Sequence, residues 1–137
     1  MNLNPNYSDF ELRLLFMIAN ELRIEFKNRQ INIENGIHVK PKPKNIRKGF
    51  VEINTTGFEG LRIKRNITGL VNVNYQDTEY LQVVKYAMLI SDLLTGRIVK
   101  QILLEDPNLD EGYKIYPNGP NLWVGNVQVN IKHLKAK

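Results

Sequence analysis

Lys40, Lys42, Lys44, Arg47 and Lys48 fall within nine consecutive residues, and their number matches the formal net charge of +5. Ammonium and guanidinium groups at this density attract polyanions. Against nucleic acid they would contact phosphates, which position a backbone without reading bases. An acidic protein face or plain solvent suits them equally well. No aromatic residue interrupts the run, so stacking on single-stranded bases is not supported.

Other spacings that could do chemistry fail on inspection. Asp106, Asn108 and Asp110 alternate like the start of a calcium loop. The glycine then arrives one position late, at Gly112, and Pro117 stands where a bidentate glutamate belongs. A solvated acidic loop is the simpler reading. His38 and His133 are the only histidines and there is no cysteine, which leaves too few ligands for zinc. Ser8 and Ser91 are the only serines, one at a helix start and one within a helix, so a serine triad is not expected. Gly57 to Gly60 lacks the Lys-Ser/Thr of a phosphate loop. Glu105 and Asp106 are neighbours in a loop with nothing to raise a pKa. The expectation is a protein that is not an enzyme and holds no metal.

The chain has 137 residues, enough for a single domain with its own core. That domain would span 1–137, with a basic protruding loop at 40–49. Hydrophobic residues make up 42% and charged residues 24%, as in ordinary globular proteins. With no cysteine there is no disulfide or thiol chemistry, which suits a reducing compartment. No apolar run approaches the roughly 20 residues of a membrane span. The N-terminal Met-Asn-Leu-Asn-Pro-Asn has neither the basic start nor the apolar centre of a signal peptide. No membrane association is expected.

The elements that would position the basic run follow from periodicity. Ser8-Asp9-Phe10-Glu11 reads as a capping box opening a helix to about Phe26, with Leu15, Ile18, Leu22 and Phe26 at helical spacing. Ile31–Ile33 and Ile37–Val39 flank Glu34-Asn35-Gly36, which predicts a tight hairpin. The lysine–proline run should be extended. Phe50–Ile53 reads as a strand closed by Thr55-Thr56-Gly57. A glycine linker leads to a further strand at Leu61–Ile63.

The clearest stretch is Asn66–Gly96. Ile67, Gly69, Val71, Val73 and Tyr75 share one face of a strand; Thr68, Asn72, Asn74 and Gln76 share the other. Asp77 or Thr78 should cap the following helix, and Gly96 should stop it. Its stripe reads Tyr80, Val84, Ala87, Ser91 and Leu94, with Leu81, Met88 and Ile90 beside it. Arg97–Leu104 suits either a strand or a helical turn. Tyr113–Tyr116 and Trp123–Ile131 read as strands. The predicted class is α+β: a mixed, mainly antiparallel sheet packed by two main helices, in the order α-β-β-β-β-α-β-β.

This pattern resembles the tail terminator (tail-completion) proteins of tailed bacteriophages and related neck proteins. The resemblance lies in the amphipathic N-terminal helix and the strand ending Gly69-Leu-Val-Asn-Val-Asn-Tyr75. It continues through the polar break Gln76-Asp77-Thr78, the helix Leu81–Leu94, and Trp123 before the strand Val127–Ile131. It implies a virion structural protein, assembled in the host cytoplasm, that forms a homo-oligomeric ring capping the tail or joining it to the head. DNA would pass through the ring and neighbouring neck or tail proteins would be its partners. It implies no catalysis, no cofactor and no site residue to carry over. The 40–48 loop departs from the family pattern and would face DNA or a neighbouring ring. From a different class, a small basic nucleic-acid-binding module also fits the residues.

Overall fold

A computed structural model describes residues 9–61, 66–99, 102–105 and 112–133. The chain is α+β. Helix α1 (Asp9–Asn28) precedes strands β1 (Ile37–Val39), β2 (Phe50–Leu61) and β3 (Asn66–Asp77). Helix α2 (Tyr80–Leu94) then leads to β4 (Ile98–Val99), β5 (Ile102–Glu105), β6 (Lys114–Pro117) and β7 (Trp123–His133). Among the described residues the sheet runs β1-β2-β3-β7-β5-β4, with β6 also paired to β7. Every pairing is antiparallel except β1 with β2. Among the described residues, three strands precede α2 and four follow it, where four and two were expected.

Strand alternation divides the sheet into two unlike faces. Val51, Ile53, Val71, Val73, Tyr75, Val127, Val129, Ile131 and Leu104 are buried on one face. Both helices cover that face. Leu14, Leu15, Ile18, Ala19, Leu22 and Phe26 of α1 pack there, as do Val83, Tyr86, Ala87, Ile90, Leu93 and Leu94 of α2. Tyr86 joins the layers, its ring 4.6 Å from that of Tyr75 and 6.3 Å from that of Phe26. The closest seat lies at Gly125, where a β-carbon would stand 2.8 Å from Ala87 Cβ and 3.2 Å from the Val83 carbonyl oxygen.

Several local expectations are corrected by the long-range pairing. The hairpin at 31–39 does not form. Ile31 instead donates to the Phe26 carbonyl at the end of α1, and Ile37–Val39 pairs parallel with Val51–Ile53. Gly36 does adopt a positive φ of 84°, but the turn steers the chain along β2 rather than back on itself. The glycine stretch after Ile53 is not a linker: β2 continues to Leu61, with a bulge between Thr55 and Gly57 that leaves Thr56 unpaired. Asp77 and Thr78 do not cap α2. Asp77 accepts from the Tyr75 hydroxyl (2.6 Å) and from the Thr78 amide (2.7 Å), while Glu79 is the N-cap without a side-chain bond. Gly96 does end α2, at φ 82°. Arg97–Leu104 resolves as the strands β4 and β5. Ser8 and the acidic positions Asp106, Asn108, Asp110 lie outside the described residues.

Arg97 fastens the turn after α2 to α1. Its guanidinium meets Glu21 at 2.8 Å and Glu25 at 2.9 Å. The hydrogen bond from Arg97 is the largest cause holding the Glu25 carboxyl below its ordinary value of 4.5; partial burial opposes it, and Arg29 adds to it. A carboxyl depressed in the folded state stabilises above its unfolded value and loses that contribution as pH falls through the folded one. Denaturation of the protein and of Arg97→Met should therefore differ at neutral pH and converge as pH drops below 4.5. A gap that persists unchanged in acid would show that the pair contributes through packing alone.

Candidate functional site

The parallel pairing of β1 with β2 places the basic run. The chain leaves β1 at Val39 and must return to enter β2 at Phe50 beside the start of β1. Residues 40–49 make this return across the sheet face opposite the helices. The Lys40 amide donates to the Ile53 carbonyl (2.9 Å) and the Lys42 amide to Glu52 Oε2 (3.1 Å). Ile46 donates to the Pro43 carbonyl, so the path turns at Lys44–Asn45 instead of staying extended. Gln76 Nε2 donates to the Arg47 carbonyl (2.7 Å) and Asn35 Nδ2 to the Lys48 carbonyl (2.8 Å). Gly49 closes the run, donating to the Gln76 carbonyl and accepting from the Asn35 amide.

The loop is thus a strap tied down by its own backbone, and it buries Phe50. Lys42 lies half-buried with its ammonium 5.3 Å from the Phe50 ring centre. A cation over an aromatic face gains a modest attraction there. Lys40, Lys44, Arg47 and Lys48 are exposed. None of the five forms an ion pair with another described residue. The five cations are therefore held on a fixed track, with the Glu52 carboxylate taken up by the Lys42 amide rather than by an ammonium group, an arrangement suited to an external polyanion.

Beside the strap, the same sheet face carries a layer of carboxamides. Asn126 Nδ2 donates to Asn74 Oδ1 (2.6 Å) and, at 3.4 Å, to Asn72 Oδ1. Gln128 Nε2 reaches Asn72 Oδ1 at 3.0 Å, and Asn72 Nδ2 reaches Asn54 Oδ1 at 3.3 Å. Asn118 Nδ2 donates to Gln76 Oε1 (2.7 Å), linking the strap's anchor to the 118–122 turn. Asn72 and Asn126 are only 7% and 8% exposed, and the amides satisfy one another. The alternation of Thr68, Asn72, Asn74 and Gln76 marked this face as polar. It could not mark it as internally bonded, and the anchors Asn35, Glu52 and Gln76 carried no local signal.

The remaining chemistry-bearing residues are spread through the fold. His38, on β1, sits with Nε2 2.6 Å from the Asn35 carbonyl oxygen, and His133 lies at the end of β7. Ser91 is buried in α2 under Gly112. Among the described residues, no group of three or more His, Cys, Asp or Glu is placed to hold a metal, and no helix is long and apolar enough to cross a membrane.

Helix α2 presents a second, chemically opposite surface. Leu81 is 80% exposed and Met88 48%, although the sequence pattern put both beside the core stripe. Val84 lies half-buried between them, and Tyr80 stacks edge-on against Trp123 at 4.9 Å. Among the described residues, the molecule thus shows exposed cations on its sheet side and exposed apolar side chains on its helix side. No protein-family model and no curated protein matches this chain.

Proposed function

We propose that this chain is a non-enzymatic virion structural protein of the head–tail junction of a tailed bacteriophage. Copies would form a ring that caps the tail or joins it to the head, with DNA passing through. The observation that carries the reading is the division of surfaces: among the described residues, an anchored cationic strap without ion pairs on one side and an exposed apolar helix face on the other. The first suits a polyanion, the second suits protein contact. The strap residues Lys40, Lys42, Lys44, Arg47 and Lys48 would face DNA or an acidic neighbour in the neck.

Light scattering and electron microscopy of the purified protein test the ring; a closed multimer is the expected result. Replacing all five strap cations with serine should leave the fold intact, because the fastening bonds run through backbone groups. DNA affinity should fall, and the slope of log K against log salt should flatten by about 0.9 for each phosphate contact removed. Unchanged assembly and unchanged DNA binding would return the strap to a solvated connection. The five unpaired cations also favour a second reading, a small basic nucleic-acid-binding module. A protein that stays monomeric at high concentration yet binds DNA with a steep salt dependence would select it.

A further inference from the structure

The exposed face of α2 is patterned for a second copy of itself. Leu81, Val84 and Met88 recur at three- and four-residue intervals and form one apolar stripe. Lys85 and Asp92 lie along the same flank of that stripe, seven residues apart, which is two helical turns or about 10 Å. Both are exposed, and neither makes an ion pair with another described residue; Lys85 lies only near the Tyr86 ring, at 5.8 Å. The two charges are almost equidistant from Met88, one on each side.

We infer that two copies pair through α2 in antiparallel orientation about a two-fold axis beside Met88. Such an axis keeps each flank facing its own counterpart while reversing direction. Lys85 of one copy then meets Asp92 of the other, twice, and Met88 meets Met88 at the centre. A parallel pairing would turn this flank toward the opposite flank of the partner helix, where Lys85 finds no Asp92. The charges therefore select the antiparallel arrangement, and an isologous contact needs this self-complementarity. The pairing does not rest on the ring reading. A two-fold contact closes at two copies, and within a ring assembly it would join two rings back to back.

Charge reversal on the full chain tests this, with mass followed by light scattering across a dilution series. Lys85→Asp alone or Asp92→Lys alone should weaken association by about tenfold. The double variant Lys85→Asp/Asp92→Lys should restore it. Met88→Glu should abolish it by facing two carboxylates at the axis. All three positions of change are at the surface, so circular dichroism should show an unaltered fold. An assembly indifferent to every one of these variants overturns the inference while leaving a ring through other surfaces standing. Single copies at all concentrations overturn both.

Discussion

Gly125→Leu is expected to lower the unfolding free energy by about 3 kcal/mol or more, as overpacking does where neighbours cannot yield. A β-carbon at this position would meet Ala87 Cβ at 2.8 Å and the Val83 carbonyl oxygen at 3.2 Å. The latter is helix backbone and cannot rotate away. β7 is held by β3 on one side and by β5 and β6 on the other, so the strand cannot retreat either. The only relief is for α2 to lift, which would uncover Val83, Ala87 and Ile90. Urea titration measures the loss directly. A loss under about 0.5 kcal/mol would mean that α2 does not sit this closely on β7, since surface changes fall in that range.

Asn126→Asp should cost about 3 kcal/mol near neutral pH, because it removes the donor that Asn74 and Asn72 accept from and buries a charged carboxylate in its place. The native amide donates to both Asn74 and Asn72; a carboxylate in its place can donate to neither. Protonation repairs the fault by restoring a donor. The penalty should be absent below about pH 3.9, the ordinary value for such a group, and grow as pH rises through its raised folded value. Stability measured from pH 3 upward would therefore diverge from that of the native protein. This gap closes toward acid as that of Arg97→Met does, here because a buried carboxylate gains a proton and there because an ion pair loses its charge. Equal stability at neutral pH would show that the amide layer admits water freely.

Much of the fold was legible where one periodicity dominated. Val71, Val73 and Tyr75, and Val127, Val129 and Ile131, alternate cleanly because one face is buried and the other polar. The helix α2 was legible as a helix, and Ala87, Ile90, Ser91 and Leu94 of its expected face are buried, but Tyr80, Leu81 and Met88 are not. Apolar residues surround most of its circumference, so the stripe could be drawn through Val84 as easily as through Val83. The hairpin failed for a different reason. Asn35-Gly36 turns the chain locally, but the partner of Ile37–Val39 lies beyond the basic run and pairs in parallel. No local pattern shows that. Asp77 looked like a cap because its competing partner, the Tyr75 hydroxyl, belongs to the preceding strand. The five cations stood out by density alone, whereas their anchors come from three different segments. Their surroundings therefore emerge only in three dimensions.

The strap joins two neighbouring parallel strands, and backbone amides and carbonyls do its fastening. Its course is therefore largely indifferent to what its lysines and arginine are. Substitution at the exposed Lys40, Lys44, Arg47 and Lys48 could turn this track from basic to neutral or acidic without disturbing Phe50 beneath it or the strands it connects. Insertions and deletions have no such freedom, because the anchors at Lys40, Lys42, Arg47, Lys48 and Gly49 set the spacing. A lineage carrying this domain could thus exchange one partner for another through point changes on a conserved path, with chain length as the inherited constraint and charge as the variable.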